Sequence, residues 1–275
     1  MNRLFVANKP IFISSNNFIS RFKKKFKTKK VGYSGTLDPF ASGCLIVATG
    51  QFTKLFPYLK KSPKIYEATL WLGADSLTLD IEGVREIFPV KKQNPKKIEK
   101  ILNSLVGEIE YFPPKYSAKK IAGKKAYELA RENFDFEMKK VSSKIYSIKL
   151  LNYSHPFIHF QAEVSEGTYI RSLGEIIAKK IGVSGALSSL KRVREGEFYF
   201  QGEKFLNPLK YLNIPRNFYK KDQNNLKLGK RLQKEDFEIQ DNGIYFVESK
   251  DFFSVIQIEE EVKYKLNLIQ KGEYD

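Results

Sequence analysis

The segment GYSGTLDPFASGCLIVATGQFTK, residues 32–54, guides the interpretation of this 275-residue chain. It combines four glycines, an Asp-Pro dipeptide and an apolar run, and Asp38 is its one acidic residue. Seven basic residues crowd positions 21–30, directly before this segment. A lone carboxylate beside a basic cluster suggests a reacting group close to a bound polyanion.

Two interpretations of Asp38 compete at this level. An Asp-Pro dipeptide by itself is more typical of a turn in which the carboxylate caps local backbone amides. Gly35 and Gly43 flank Asp38 and favour a functional role, because glycine permits the backbone to approach a ligand closely. Neither glycine begins the G-x-x-x-x-G-K-[ST] pattern of a phosphate-binding loop, so nucleotide triphosphate binding is not expected.

The net charge of +17 belongs to the first two-thirds of the chain. Residues 205–275 contain 12 basic and 12 acidic residues, so residues 1–204 carry the whole excess. This distribution predicts an anionic partner, either nucleic acid or an anionic membrane. The basic run at residues 21–30 could also be a solvated helix face. Seven cations with no acid among them would repel one another, however, which favours phosphate contacts.

Rare residue types exclude several classes of protein. Cys44 is the single cysteine, so no internal disulfide is possible and a reducing compartment is expected. His155 and His159 are the only histidines, which leaves no expected zinc or transition-metal site. The N-terminal apolar run is too short for a signal peptide, and no stretch approaches the length of a transmembrane helix. We therefore expect a cytoplasmic protein without metal or membrane contact.

The pattern of apolar residues predicts an α+β domain followed by a small, mostly β appendage. Helices and strands alternate without the regular spacing of a doubly wound sheet. Gly32–Gly35 is predicted to be a loop. Strands are predicted at Leu4–Ala7, Cys44–Thr49, Ile65–Leu72, Lys144–Tyr153, Phe157–Val164, Ile244–Val247 and Phe253–Ile258, and helices near residues 16–25, 94–105, 124–131 and 168–181.

Three further residues are candidates for a binding site. Tyr66 follows a basic patch and Tyr169 lies two residues before Arg171. Aromatic faces stack on unpaired bases, although both tyrosines also fit an ordinary position in the core. Arg171 opens an apolar helix, and a partly buried arginine there would require a carboxylate partner such as Asp38. A surface arginine is the alternative.

Together these segments resemble the TruB family of tRNA pseudouridine-55 synthases, in order, over residues 4–200. The strongest element is the G-x-x-G-x-L-D-P-x-A-x-G-x-L core followed by G-x-x-T-K, within residues 32–54. The supporting elements are Lys9-Pro10, Lys64–Tyr66, the TLDIEG segment with Thr78, Asp80 and Gly83, Tyr116-Ser117-Ala118, Gly123-Lys124-Lys125, Gly167–Arg171 and Leu190–Arg192.

The resemblance implies a set of roles and no cofactor, since converting uridine to pseudouridine is redox-neutral. Asp38 would be the nucleophile, kept ionised by Arg171, and act on a flipped-out base. Tyr66 would pack against the uracil and help to deprotonate C5. The implied substrate-binding residues are Tyr33, Tyr169, Leu190 and Lys9, of which Tyr169 and Leu190 would line the base pocket and Lys9 would lie near the site.

The chain departs from the family pattern at two positions. Tyr33 stands where the family usually has a histidine that contacts flipped-out nucleotides; tyrosine keeps the stacking face without the second ring nitrogen. Leu77 stands where an acidic residue is common. The departure at Tyr33 affects the expected nucleobase contact rather than the expected catalysis, and the departure at Leu77 has a less obvious consequence.

The resemblance also implies a fold and a substrate. Residues 1–205 would form the pseudouridine synthase fold, a mixed and mainly antiparallel sheet with flanking helices. Residues 210–275 would form a short, diverged, PUA-like module, mostly β, whose neutral charge adds little to phosphate binding. The expected substrate is the T-stem-loop of tRNA, bound by a monomer, with Lys115–Lys125 as a loop that orders on binding.

Three functional hypotheses follow. The first is an isomerase that converts the T-loop uridine at position 55 to pseudouridine. The alternative, from a different class, is a tRNA-binding or folding factor whose role does not depend on modification. A third possibility is the RNA-guided relative found in larger ribonucleoprotein complexes, against which the absence of long basic extensions argues.

Overall fold

The strands of the computed structural model account for most of its regular structure. The model describes residues 1–117, 119–121, 123–132, 134, 136–272 and 274. The strands are β1 (Arg3–Lys9), β2 (Val31–Tyr33), β3 (Ser42–Thr49), β4 (Lys64–Leu72), β5 (Ala74–Ser76), β6 (Val84–Ile87), β7 (Gly107–Tyr111), β8 (Lys120–Ile121), β9 (Lys124–Lys125), β10 (Val141–Ser154), β11 (Phe157–Val164), β12 (Gly185–Glu195), β13 (Phe198–Tyr199), β14 (Arg216–Asn217), β15 (Gly243–Glu248), β16 (Phe252–Ile258) and β17 (Val262–Gln270).

The helices begin and end at residues suited to those positions. Ser14 caps the first helix by accepting a hydrogen bond from the Asn17 amide, and Asn94 caps the second in the same way. The last long helix ends at Gly182, whose φ of 93° is left-handed. The helices are α1 (Ser15–Lys25), α2 (Pro95–Asn103), α3 (Ala126–Arg131), α4 (Ile170–Ile181) and α5 (Gln223–Lys227), with 3₁₀ turns at Gly50–Tyr58, Ile81–Gly83, Pro208–Tyr211 and Lys234–Asp236.

The large sheet has the strand order β1-β3-β12-β4-β11-β10-β7, with β2 beside β3 and β13 beside β12. Its neighbouring strands are antiparallel except β3 and β12, which are parallel. A second sheet has the order β14-β15-β16-β17. The predicted α+β class with a mixed, mainly antiparallel sheet is therefore confirmed.

Strands β1 and β3 are buried on both faces. On one face Phe5 and Leu45 pack with α1, and on the other Leu4 and Ile46 pack with the 3₁₀ turn at Gly50–Tyr58. Burial on both faces explains why β3 is an uninterrupted apolar run instead of an alternating one. The two strands form a rigid support for the loop between β2 and β3.

The opposite half of the sheet is covered on one face only. Strand β4 alternates strictly between buried and half-buried residues, and its buried face packs against α2 and α4. This one-sided burial follows from the period-2 geometry of a strand. Tyr66, Leu190 and Ile170 belong to the core between the sheet and these helices. Two of the residues predicted for the site, Tyr66 and Leu190, are therefore part of this core.

The second sheet shares a core with the large one. Phe253 and Ile269 of the second sheet belong to the same buried cluster as Leu4, Phe52 and Leu212. Hydrogen bonds from the Gln270 amide to Gln51 Oε1 (2.9 Å) and from Asn2 Nδ2 to the Gln270 carbonyl (2.7 Å) join the same two regions. The division of the chain into domains at residues 205–210 remains a prediction.

The predicted elements agree with the structure in position, and two predictions of local structure were wrong. The expected loop at Gly32–Gly35 begins as strand β2, in which Tyr33 pairs with Val47. The third predicted helix begins at Ala126, because Lys124 and Lys125 form a short strand. Within the described residues, no helix is both long and apolar enough to cross a membrane.

We expect Leu212→Ala to lower the free energy of unfolding by about 2–5 kcal/mol, because Leu212 is 4% exposed in the cluster shared by the two sheets. Leu228→Ala is the matched control, since Leu228 is 71% exposed. Urea unfolding of both variants measures the difference. Equal, small effects would show that the shared cluster does not stabilise the protein.

Candidate active site

The loop that carries Asp38 is held by the segment before α1. Ser15 Oγ donates to the Leu37 carbonyl (2.9 Å) and accepts from the Leu37 amide (3.0 Å). The Phe12 amide donates to the Pro39 carbonyl (2.7 Å), and the Ala41 amide closes a turn on the Asp38 carbonyl (3.1 Å). The turn expected at Asp38-Pro39 is therefore present, and these hydrogen bonds fix the backbone that carries the Asp38 carboxylate.

The Asp38 carboxylate forms an ion pair with Arg171, as the sequence had suggested. Arg171 Nε lies 2.9 Å from Asp38 Oδ2, with side-chain exposures of 4% and 34%. Arg171 belongs to the first turn of α4, and its terminal nitrogens donate to the carbonyls of Thr78 (2.7 Å) and Tyr116 (2.9 Å). The guanidinium is thus fixed by groups from three other segments of the chain.

Asp80 is a second carboxylate on the same guanidinium. Its Oδ2 lies 3.3 Å from Arg171 Nη1, while its Oδ1 accepts hydrogen bonds from Thr78 Oγ1 (2.6 Å) and the Glu82 amide (3.0 Å). Burial raises the pKa of Asp80, an effect opposed by the Thr78 hydrogen bond and by Arg171. Asp38 is the more exposed of the two carboxylates, so Asp38 is the one available to a ligand.

A cavity of about 260 Å³ lies directly beside this ion pair. It is slightly smaller than the ~300 Å³ at the lower end of the usual range for ligand pockets. The structure brings together here five of the residues predicted from the sequence. They are Asp38, Tyr66, Tyr169, Arg171 and Leu190.

Tyr66 and Leu190 reach the cavity from neighbouring strands. Tyr66 is 8% exposed and lies on the buried face of β4. Leu190 lies on β12 opposite Ala68, and Arg192 lies opposite Tyr66. Both side chains line the cavity, so that an aromatic ring and an aliphatic group form two of its walls.

Tyr169 lies at the N-terminus of α4, two residues before Arg171. Its amide donates to the Tyr111 hydroxyl (2.9 Å), which ties the helix start to β7. Burial raises the pKa of the Tyr169 hydroxyl, so that hydroxyl is neutral at physiological pH. Tyr169 therefore offers the cavity an aromatic face and a neutral hydrogen-bonding group.

A second cavity of about 660 Å³ adjoins the first and shares Asp38 and Arg171 with it. Tyr33 lines this second cavity rather than the first. The Tyr33 hydroxyl donates to Asn16 Oδ1 (3.1 Å) at the start of α1, which fixes the orientation of its ring. Tyr33 therefore lies outside the 260 Å³ cavity, at the wall of the second one.

Lys9 does not point into either cavity. Its Nζ donates to the carbonyls of Pro10 (2.9 Å), Ile13 (2.7 Å) and Pro39 (3.2 Å), and the residue is fully buried. Burial lowers the pKa of Lys9 to about 8, against the attraction of Asp38 and Glu82. The geometry favours a role in holding the Asp38 loop over the predicted contact with substrate.

The glycines on either side of Asp38 make room for protein atoms. A Cβ at Gly43 would lie 2.2 Å from the Arg192 carbonyl oxygen, so Gly43 permits the close approach of β3 and β12. A Cβ at Gly35, where φ is +58°, would lie 2.8 Å from Lys64 Nζ. The interpretation that Gly43 admits a ligand was therefore wrong.

The basic run begins in the second half of α1, the helix whose start lines the second cavity. Asn16 at the start of α1 lines that cavity, and the 11-residue helix extends about 16 Å toward the lysines at its end. Lys25 forms an ion pair with Glu203. Among the described residues, the other six cations of the run form no ion pair, which leaves them available to an anionic partner.

Several residues of the site were not assigned a role from the sequence. Asp80 appeared there only as part of a motif, and Arg192, Lys64 and Glu195 form a buried cluster beside the cavity. A charged residue at a buried position of a strand is the signal that could have identified them. Ala118, which belongs to one of the predicted motifs, lies outside the described residues.

Metal ligands are not grouped in the part of the chain that the structure describes. No cluster of three His, Cys, Asp or Glu side chains is placed there to hold a metal ion. The carboxylates of Asp38 and Asp80 both form ion pairs with Arg171, which partly neutralises their negative charge.

Comparison with known sequences connects this site to a family. Residues 23–170 match the model described as TruB family pseudouridylate synthase (N terminal domain). The tRNA pseudouridine synthase B of a Sulfurovum species is 57% identical over 274 residues, which is 99% of each chain. That of Campylobacter concisus is 53% identical over 98% of this chain and 100% of its own.

Solved structures share the fold at lower identity. A crystal structure of a Cbf5-Nop10-Gar1 complex contains a chain that is 21% identical, with a TM-score of 0.66 over 98% of this chain and 84% of its own. A chain in an H/ACA RNP bound to a substrate RNA containing 2′-deoxyuridine is 19% identical, with a TM-score of 0.63 over 99% and 85%.

Fold, site and sequence together define an enzyme of the pseudouridine synthase class, as the sequence had predicted. Within this class, the chain belongs to the TruB family.

We expect the stabilising contribution of Lys9 to increase with pH. Because burial lowers the pKa of Lys9 from 10.5 to about 8, the folded protein releases this proton near pH 8, whereas the unfolded chain keeps it until near pH 10.5. The unfolded state therefore binds more protons in this window, and the free energy of unfolding rises with pH.

The difference in the free energy of unfolding between the wild type and Lys9→Met, measured by urea unfolding, should be larger at pH 9.5 than at pH 7. Lys24→Met, at an exposed position, controls for the loss of a surface charge, and a pH-independent difference would contradict the expectation.

Proposed function

We propose that this protein isomerises the uridine at position 55 in the T-loop of tRNA to pseudouridine. The observation that carries the proposal is the ion pair between Asp38 and the buried Arg171, set at the wall of a cavity of about 260 Å³. A base inside a stem-loop cannot reach such a cavity while stacked, so the uridine must first be flipped out, at a cost of a few kcal/mol.

Asp38 is the proposed nucleophile of the reaction. Arg171 keeps its carboxylate charged and oriented, and Asp80 on the far side of the guanidinium keeps Arg171 in place. The glycosidic bond between C1′ and N1 breaks while the uracil stays enclosed between Tyr66, Leu190 and the loop that carries Asp38. Enclosure matters because the detached base has to rejoin the same ribose.

Tyr66 is the proposed acceptor of the C5 proton. After the uracil turns within the cavity, C5 takes the place of N1 and forms the new bond to C1′. The proton on C5 must then leave to restore the ring, and N1 gains one proton. The isomerisation therefore needs no external redox partner. The residues that line the cavity supply the groups that the proposed reaction uses, namely a nucleophile, its ion-pair partner, a hydroxyl group and apolar walls.

The proposed RNA contacts extend away from the cavity. Tyr33, Tyr127 and Lys125 line the second cavity, where they suit a neighbouring flipped-out nucleotide. The basic run at residues 21–30 suits the phosphates of the stem. The protein would act as a monomer in the cytoplasm, without metal, with residues 1–205 as the catalytic domain and residues 210–275 as a PUA-like module.

Asp38→Asn is expected to abolish pseudouridine formation while tRNA binding persists. Replacing the nucleophile should lower the single-turnover rate by at least roughly 10³-fold, measured by release of tritium from [5-³H]uridine in a tRNA transcript. Asp75→Asn is the matched control, because Asp75 pairs with Arg85 at the surface. Undiminished product from Asp38→Asn would refute the role of Asp38. Rescue of a deletion strain by the inactive variant would favour a folding factor over an enzyme.

Tyr33→Phe is expected to bind tRNA almost as the wild type does, whereas Tyr33→Ala should weaken binding. The ring supplies the stacking face, which is worth about 1–3 kcal/mol per base, and the hydroxyl donates only to Asn16. Filter binding of a T-stem-loop measures both dissociation constants. Tyr146→Ala serves as the control, since Tyr146 is 44% exposed on β10. Equal affinities for the alanine variants would place Tyr33 outside the interface.

A further inference from the structure

We propose that Phe12 is an RNA-binding residue: its exposed ring stacks on an unpaired base of the RNA loop, beside the reacting uridine. The inference rests on the proposed function, because it requires that an RNA loop lies over the two cavities. It adds a contact outside both cavities, from the turn that precedes α1.

The Phe12 side chain contributes little to the packing of the fold. It is 65% exposed, and the neighbouring Ile11 is 53% exposed. Phe12 belongs to none of the four apolar clusters formed by the described residues. A single exposed apolar residue is ordinary on a protein surface, so exposure alone assigns no function to this ring.

The backbone of Phe12 adds a second observation. Its φ is 59°, in the left-handed region. Turn positions with this φ usually hold glycine or asparagine, because a bulky side chain there crowds the adjacent backbone. Phenylalanine therefore destabilises the turn relative to glycine, and burial of the ring does not compensate. Strained residues of this kind are concentrated at functional sites.

Hydrogen bonds hold the turn in this conformation. The Phe12 amide donates to the Pro39 carbonyl (2.7 Å). The buried Lys9 Nζ donates to the carbonyls of Pro10 (2.9 Å) and Ile13 (2.7 Å), which lie on either side of Phe12 in the chain. The ring is thus carried by a fixed backbone, so little backbone freedom is lost when a ligand stacks on it.

The same hydrogen bonds place the turn beside the second cavity. Pro39, which accepts from the Phe12 amide, lines that cavity, and so does Ser14, two residues after Phe12. Tyr33, the proposed contact for a neighbouring nucleotide, lies on the wall of the same cavity. An RNA loop that passes over the rim of this cavity at Pro39 therefore reaches the Phe12 ring.

The charge of the surrounding chain identifies the chemistry of the partner. The first 37 residues contain nine basic residues and no acidic one. Helix α1 begins three residues after Phe12 and ends in exposed lysines. An aromatic ring next to a cluster of cations suits a nucleic acid, whose phosphates bind the cations and whose bases stack on the ring. A purely apolar partner would offer these cations no counter-charge.

The test is binding of a T-stem-loop transcript to Phe12→Ala and Phe12→Trp. Removing the ring should raise the dissociation constant at least about 5-fold, which corresponds to the ~1 kcal/mol lower limit for stacking on one base. Tryptophan keeps an aromatic face, so Phe12→Trp should bind no more weakly than the wild type. The single-turnover rate at saturating protein should be unchanged in both variants, because Phe12 does not touch the reacting base.

Phe88→Ala is the matched control for the loss of an exposed ring. Phe88 is 45% exposed and lacks the left-handed φ of Phe12. Its amide donates to the carbonyl of Gly73, which follows β4 at the end away from Tyr66. Phe88→Ala should bind RNA as the wild type does. Equal dissociation constants for Phe12→Ala and Phe88→Ala would overturn the inference.

Stem-loops with one abasic nucleotide each identify the stacked base. Removing the base that stacks on Phe12 should weaken binding to the wild type and have a smaller effect on Phe12→Ala, since the two changes remove the same contact. The other abasic positions should weaken both proteins equally. Equal losses at every position would contradict stacking on a base, even if Phe12→Ala bound the RNA weakly.

Phe12→Gly separates binding from folding. Glycine adopts a φ near 60° without strain, so the urea midpoint of this variant should be no lower than that of the wild type, while its RNA affinity should fall as in Phe12→Ala. A lower midpoint would show that the ring serves the fold, contrary to the inference. If the wild type forms no pseudouridine, the proposed function fails, whereas the comparison of dissociation constants still decides the role of Phe12.

Discussion

The buried guanidinium of Arg171 is the group on which the rest of the site depends. A charged group that is 4% exposed is tolerated only if its donors are satisfied. The carboxylates of Asp38 and Asp80 and the carbonyls of Thr78 and Tyr116 meet this requirement. These four residues come from three separate segments of the chain, so satisfying one arginine brings the elements of the cavity together.

Rigid packing behind the Asp38 loop makes that arrangement possible. Strands β1 and β3 are covered by α1 on one face and by the second sheet on the other, and Lys9 and Ser15 attach the loop to the start of the chain. The neutral C-terminal region therefore contributes to the site through apolar packing behind the Asp38 loop. Its neutral charge and its buried aromatic residues are consistent with this role.

Much of the fold could be predicted, because apolar periodicity reports burial directly. The run at Cys44–Thr49 and the helical spacing after Asn94 each match an element. The pairing of Asp38 with Arg171 followed from the cost of burying an arginine without a partner. The surroundings of Lys9 could not be predicted, since a motif lysine beside a site suggests a substrate contact, and only the tertiary structure shows the three carbonyls around its Nζ.

The amino-acid sequence by itself determined the family, the class of fold, the location of the positive charge and the candidate residues Asp38, Tyr66, Tyr169, Arg171 and Leu190, because motifs and periodicities are local properties. The tertiary structure alone decided which groups satisfy one another. It showed Asp80 behind Arg171, Arg192 opposite Tyr66 on the neighbouring strand, and Tyr33 in a second cavity instead of the first. Those contacts join residues far apart in the chain, and they depend on distances of a few ångströms that no local pattern records.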